Sequence, residues 1–212
     1  MAAESILSLG DVAAGYGAMT ILNGPSFDMA AGAITTVIGP KGAGKSTAFK
    51  AIFGLLKPRS GSISERYVPQ GRNIFSEMSV RHNLELGAVA AALARFPALA
   101  KKAESQASTL SGGEQKQLEI ARGLLLDPKL ILIDEPSIGP SPMMVEETFA
   151  LLRATRDRGA AILLIEQNAK QAPQTSDFGL ALELGQTRLR DRADAILADP
   201  RVTQLFLGGA ST

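Results

Sequence analysis

The chain has no cysteine, one histidine and two tyrosines among its 212 residues. The absence of cysteine excludes disulfides and thiolate metal sites, and it fits a reducing compartment. An excess of charge of one sign is also missing. Lys and Arg number 22, Asp and Glu 21, for a net charge of +1. No basic run is long enough to make a nucleic-acid surface, so no nucleic-acid partner is expected. Long apolar runs are lacking too. The longest charge-free stretch, Val12 to Phe27, is 16 residues and contains Gly, Asn, Pro and Ser. It falls short of the ~18–20 apolar residues that span a bilayer. Met1–Ser5 has neither the basic nor the apolar region of a secretory signal. A role at a membrane would therefore be played from the cytosol, through partners. What remains is 45% hydrophobic and 20% charged, the composition of a globular chain with one sizeable domain. There is no internal repeat and no low-complexity linker.

Gly39-Pro40-Lys41-Gly42-Ala43-Gly44-Lys45-Ser46-Thr47 fits G-x-x-x-x-G-K-[ST], a phosphate-binding loop. Ile34–Ile38 before it is a β-branched run that predicts a buried strand. Ser46–Leu56 after it has helical periodicity, with Phe49, Ile52, Phe53 and Leu56 on one face. In such a unit, small residues let backbone N–H groups close around phosphate oxygens, and the positive end of the helix faces the anion. Gly39, Gly42, Gly44 and Thr47 belong to this cradle. Lys45 is expected to reach the outer phosphates, and the Ser46 hydroxyl to bind Mg²⁺.

Taken in order, Ile6–Leu9 and Val12–Ala14 predict a strand pair or one bent strand, and Ser26–Met29 another strand. Lys57–Gly61 stops the first helix. Ser79 reads as an N-cap for a helix over Val80–Leu86. Ala88–Ala103 reads as two helical pieces interrupted by Pro97. Ser111 caps a long helix, Gly112–Asp127. Leu130–Asp134, Ala161–Ile165 and Phe178–Leu182 are further strands, and Met143–Arg158 and Val202–Leu207 further helices. Strands alternating with helices predict an α/β fold with a mostly parallel sheet.

Two more motifs carry chemistry. Leu132-Ile133-Asp134-Glu135 is an apolar strand that delivers a carboxylate to the mouth of the sheet. Asp134 suits a metal-bound water beside Ser46, and Glu135 suits polarisation of an attacking water. Two solvated acids at a strand end is the plainer alternative. Leu110-Ser111-Gly112-Gly113-Glu114-Gln115 offers a hydroxyl and free N–H groups at a helix start, a second anion cradle. The same residues also read as an ordinary capping box, Ser111 with Glu114, and both readings can hold.

In order and spacing, Gly39–Thr47, Leu110–Gln115 and Leu130–Glu135 resemble the Walker A, signature and Walker B motifs of ABC-transporter ATPase subunits. The resemblance covers nearly the whole chain. It implies a P-loop NTPase fold with an N-terminal antiparallel β subdomain and a helical signature subdomain, approximately residues 71–127 of a single domain 1–212. It implies ATP and Mg²⁺, transmembrane permease partners, and a second ATPase subunit, identical or different. Each ATP would lie between Walker A of one subunit and Ser111, Gly112 and Gly113 of the other. Gln70 matches the family's Q-loop glutamine, which reaches Mg²⁺ or water. Tyr16 matches the aromatic residue that stacks on adenine. Gln167 stands where a switch histidine is usual. It can hydrogen-bond a γ-phosphate but cannot act as an acid or base near neutral pH. His82 is far from that position, and a solvated or capping role is expected for it.

Glu166-Gln167-Asn168-Ala169 and Pro136–Pro142 narrow the resemblance to the ATP-binding subunits of branched-chain amino-acid importers, with urea/amide importers as the near alternative. Such a subunit sits peripherally on the cytoplasmic face of the inner membrane. A soluble ABC ATPase of DNA repair or translation, and a module that no longer hydrolyses, are the alternatives of other classes. Departures from the family are Lys41 in place of Asn, Pro140 in the D-loop in place of Leu, Pro173 inside a helical stretch, and Gly123 in place of Ala. Pro173 is expected to kink or break its helix, at ~3 kcal/mol. Gly123 costs ~1 kcal/mol. The connection Ser62–Tyr67 is short for the family, lacking most of the hairpin before Gln70, so the N-terminal subdomain reads as shortened. Either that hairpin is deleted or residues are missing from the sequence there, which an intact mass decides.

Overall fold

One long strand carries the first layer. In the computed structural model, which describes residues 5–65, 77–85, 89–125, 128–166 and 175–207, β1 (Ser5–Tyr16) buries Ile6, Leu7, Leu9, Val12 and Ala14. It is the bent strand of the two alternatives. Asp11 has φ 50, and the register with its neighbour shifts between Gly10 and Ala13. β2 (Met19–Asn23) pairs with its last residues and β3 (Phe27–Ala30) with its first, both antiparallel. β4 (Ile34–Ile38) then begins a second sheet, and the phosphate loop leads into α1 (Lys45–Ile52). This helix is shorter than Ser46–Leu56 at its end, because Gly54 turns out at φ 69 and Leu55 is 66% exposed. β5 (Ser60–Glu65) returns to the free edge of β1. Among the described residues the antiparallel layer thus has four strands. Of these, β5, Ser60-Gly61-Ser62-Ile63-Ser64-Glu65, has one apolar residue and no strand signal of its own, and β2 is a short run that no sequence expectation covered.

Four helices follow. Ser79 Oγ accepts the His82 N–H at 3.2 Å and caps α2 (Val80–Asn83) as expected. His82 is itself part of the cap, with Nδ1 2.8 Å from Ser79 Oγ. α3 (Val89–Arg95) and α4 (Pro97–Ala100) are the two expected pieces, with Pro97 at a first-turn position where its missing N–H costs nothing. α5 (Gly112–Leu125) is the signature helix, and Gly123 lies inside it.

β6 (Leu130–Asp134), α6 (Pro142–Arg156), β7 (Ala161–Glu166), β8 (Phe178–Glu183) and β9 (Gln186–Arg192) complete the second sheet. Its order is β6-β7-β4-β8-β9, parallel except for β9. β7 is buried at every position, as an interior parallel strand covered on both faces must be. Its side chains alternate between two cores. Leu163 and Ile165 join α1 and the antiparallel layer; Ile162 and Leu164 join α5 and α6. Truncating any of these to Ala is worth about 2–5 kcal/mol. β9 exposes Arg188, Arg190 and Arg192 at the end of the sheet. α7 (Ala193–Ala198) and α8 (Pro200–Leu207) close the described chain. The fold is the expected α/β class, with an antiparallel N-terminal layer and a mostly parallel core. Among the described residues no helix is long and apolar enough to cross a membrane.

Candidate functional site

The phosphate loop leaves β4 at the centre of the parallel sheet. From there the chain runs to β6 and β7 on one side and later to β8 on the other. Such a reversal opens a crevice at the carboxyl ends of the strands. The loop lines a cleft of about 450 Å³ together with Ile21 and Glu135. Gly44 has φ 98 and ψ 4, a left-handed conformation natural to glycine, and it ends the loop directly at α1. No side chain caps that helix, and its first turn holds no acidic residue. Its N-terminal N–H groups and dipole are therefore left to an anion in the cleft, which fits the phosphates of ATP.

Lys45 is 7% exposed. Its ammonium donates to the carbonyl oxygens of Gly39 at 2.6 Å and Pro40 at 3.0 Å, so it lies folded over the loop. Burial pushes its pKa down, while the carboxylates of Glu135 and Asp134 act the other way. That coupling places both acids beside the loop. Asp134 ends β6 opposite Ile165 of β7, and Ile165 in turn lies opposite Val37 of β4. Asp134 does not line the cleft; Ser46 does, and is exposed. A hydroxyl and a carboxylate are hard oxygen donors. They suit Mg²⁺ held by one or two protein oxygens plus phosphate. Among the described residues no three His, Cys, Asp or Glu form a group that could hold a metal ion.

Glu135 has φ 50, a region where a residue of its size costs ~1–3 kcal/mol unless its surroundings impose it. Here its N–H donates to Ile165 O at 2.9 Å and its own carbonyl accepts from Ile138 N–H at 3.2 Å. It shares the lining of the cleft with Lys41–Thr47. Lys41, the residue that departs from the family, is exposed on the same wall.

The signature segment is a capped helix start. The backbone N–H and the hydroxyl of Ser111 donate to Glu114 Oε2 at 2.8 and 3.0 Å, and Ser111 Oγ accepts the Glu114 N–H at 3.3 Å. Lys102 adds an ion pair to Glu114 at 2.8 Å. The capping-box reading therefore holds. Gly113 is glycine because of close packing: a Cβ there would come within 2.8 Å of Pro140 Cα. The loop after β6 thus rests on the signature helix of the same chain. Ser111, Gly112 and Gly113 do not line the cleft around Lys45.

Tyr16 is 46% exposed and stays outside the cleft lining. Lys50 Nζ lies 5.3 Å from its ring centroid, within reach of a cation–π attraction. Ile21, which no motif announced, lines the cleft instead. Gln70, Gln167 and Pro173 lie outside the described residues. Glu166, the first residue of the Glu166–Ala169 motif, is fully buried and bonded to Ser137. An acid closing a wholly apolar strand was the signal available for it.

A family model described as ABC transporter matches residues 22–138. BraG, the high-affinity branched-chain amino acid transport ATP-binding protein of Pseudomonas aeruginosa, is 35% identical, with 96% of this chain and all of BraG covered. That alignment runs over 233 positions against 212 residues here, so BraG carries segments this chain lacks. Nod factor export ATP-binding protein I of Rhizobium meliloti is 32% identical over 92% of this chain and 67% of its own. Among solved structures, the ADP conformation of MJ1267, an ATP-binding cassette of an ABC transporter, superposes with a TM-score of 0.81. It is 25% identical and covers 97% of this chain and 99% of that one.

Proposed function

Because the chain belongs to the ABC transporter family and is one of its ATPases, we propose that it powers an importer of branched-chain amino acids. The likeness to BraG along the whole of both chains carries this reading. In it the chain is a single ATPase domain with a helical subdomain over approximately residues 71–127. It sits on the cytoplasmic face of the inner membrane, held by permease subunits and paired with a second ATPase subunit.

The proposed roles of its residues are these. Gly39, Gly42, Gly44 and Thr47 shape the loop around the phosphates, and Lys45 exchanges its two loop carbonyls for phosphate oxygens. Ser46 and Asp134, with Gln70, would hold Mg²⁺, which would supply positive charge against the phosphates. Glu135 orients and polarises the attacking water. Gln167 hydrogen-bonds the γ-phosphate, and Tyr16 stacks on the adenine. Ser111, Gly112 and Gly113 complete the site of the opposite subunit. ATP favours the closed pair and hydrolysis returns it to the open one, a ligand-biased two-state equilibrium.

Glu135→Gln is expected to lower the rate of ATP hydrolysis by about 100-fold or more while ATP still binds. A variant that turns over like the parent overturns the role of Glu135. The cargo is tested separately. In cells lacking the chain, uptake of labelled leucine, isoleucine and valine is expected to fall and uptake of urea to persist. The reverse result assigns the chain to an amide importer, and loss of neither removes it from import.

A further inference from the structure

β7 is apolar until its last residue. Glu166 closes it, 0% exposed, opposite Ile38 at the point where β4 gives way to the phosphate loop. A carboxylate taken out of water at such a place is costly unless its oxygens accept hydrogen bonds. Both do. The Ser137 backbone N–H donates to Oε1 at 3.1 Å, and the Ser137 hydroxyl to Oε2 at 2.7 Å. Ser137 is the middle of the loop between β6 and α6. At one end of that loop Glu135 reaches into the Lys45 cleft, its N–H tied to Ile165, the neighbour of Glu166. At the other end Pro140 rests against Gly113 of the signature helix. A single buried carboxylate therefore anchors the segment that joins the two halves of the ATPase machinery.

We propose that Glu166 is a positioning residue for ATP hydrolysis. It does not line the cleft. By holding Ser137 it fixes the 135–140 loop, and with it both the aim of the Glu135 carboxylate and the seat of the signature helix start. This rests on Glu135 acting on the attacking water. Neither Glu166 nor Ser137 lines the cleft, so nucleotide binding and turnover are expected to respond differently when the bond is broken.

The test uses the full chain with Ser137→Ala, which removes one hydroxyl, and Glu166→Met, which keeps the length of the side chain and removes both acceptor oxygens. Each is expected to lower kcat for ATP about tenfold or more, the effect of losing a hydrogen bond to a charged group. KM for ATP and the Kd of a fluorescent ATP analogue should stay within about twofold of the parent, because uniform binding is untouched. Ser137→Thr, which keeps the hydroxyl, restores kcat. The double variant is no slower than Glu166→Met alone, since the Ser137 hydroxyl then has no acceptor on residue 166 left to lose. Amide exchange at residues 137, 138 and 139 quickens in Ser137→Ala and stays the same in the phosphate loop. Unchanged kcat and exchange in Ser137→Ala, independent effects that multiply in the double variant, or affinity lost in step with kcat each overturn the proposal. Should Glu166→Met fail to fold, Ser137→Ala and its Thr rescue decide alone. Should Glu135→Gln hydrolyse normally while exchange still quickens in Ser137→Ala, it is the role of Glu135 that fails, and the clamp remains.

Discussion

Two helix starts in this molecule look alike in sequence and are built in opposite ways. α1 begins at Gly44 with no side-chain cap and no acid in its first turn. α5 begins with Ser111 and Glu114 bonded to one another and with Lys102 bound to the carboxylate. Both ends present N–H groups and a positive dipole. At α1 that potential is left for a ligand. At α5 the chain supplies its own anion. The difference separates a helix end whose partner arrives from outside from one that is complete before any second subunit comes near. For Ser111 to reach a nucleotide across an interface, its hydroxyl must turn from Glu114.

The sharpest way to break this contrast is at α1. Lys45→Met is expected to cost about 100-fold or more in nucleotide affinity, as loss of a buried charged partner does. Thermal unfolding without nucleotide should change little, because the desolvation cost removed with the ammonium offsets the two carbonyl hydrogen bonds lost with it. A large fall in melting temperature would mean that this end, too, is a structural cap.

Stability changes at α5 come next. Gln117 is 1% exposed, and neither its Oε1 nor its Nε2 has a partner among the described residues. Gln117→Met should stabilise the chain by about 1–3 kcal/mol, the desolvation cost of an unsatisfied polar group. That is readable as a melting temperature raised by roughly 2–4 °C for each kcal/mol. A lowered one would show that the amide is satisfied in solution.

Glu114→Ala should cost about 1 kcal/mol in nucleotide-free protein, the usual worth of a cap. Burial acts to raise the Glu114 pKa, but hydrogen bonds from Lys102 and Ser111 outweigh it and hold the carboxyl below its ordinary value. The sign follows from that direction. The contribution is complete above the ordinary glutamate range and fades as pH falls through the lowered value. Denaturant titrations of parent and variant should therefore converge in acid and differ at neutral pH.

The smallest effect is expected further along the same helix. A Cβ on Gly123 would meet nothing within 4 Å. Gly123→Ala should add about 0.5–1 kcal/mol without touching hydrolysis. A destabilised variant would reveal a close neighbour at that position.

What could be read from the chain beforehand was what is local. The phosphate loop, the Ser79 and Ser111 caps and the break at Pro97 each depend on a few adjacent residues, and the structure has them where expected. β7 and β4 were legible because strands buried on both faces are continuously apolar. β9 was not. Gln186-Thr187-Arg188-Leu189-Arg190-Asp191-Arg192 is mostly polar, and it is a strand only because β8 offers an edge to pair with. β2 and β5 depend likewise on β1. Ser141 was passed over as the cap of α6, where its hydroxyl accepts the Met144 N–H at 3.4 Å. Glu166 marks the deeper limit. Its partner Ser137 is 29 positions away, and no local pattern links an acid at one strand end with a serine beyond another.

The arginines of β9 have a consequence for the molecule in company. An outer strand shows unpaired N–H and C=O groups to any chain that passes, and neat rows of these groups template aggregates. Here the outermost strand carries Arg188, Arg190 and Arg192, each with an acidic neighbour: Glu183, Asp28 and Asp194. A strand from a second copy would have to lie along this hydrated comb of charge. The sheet is thus guarded against growing sideways, and crowded copies of the chain stay dispersed along this border.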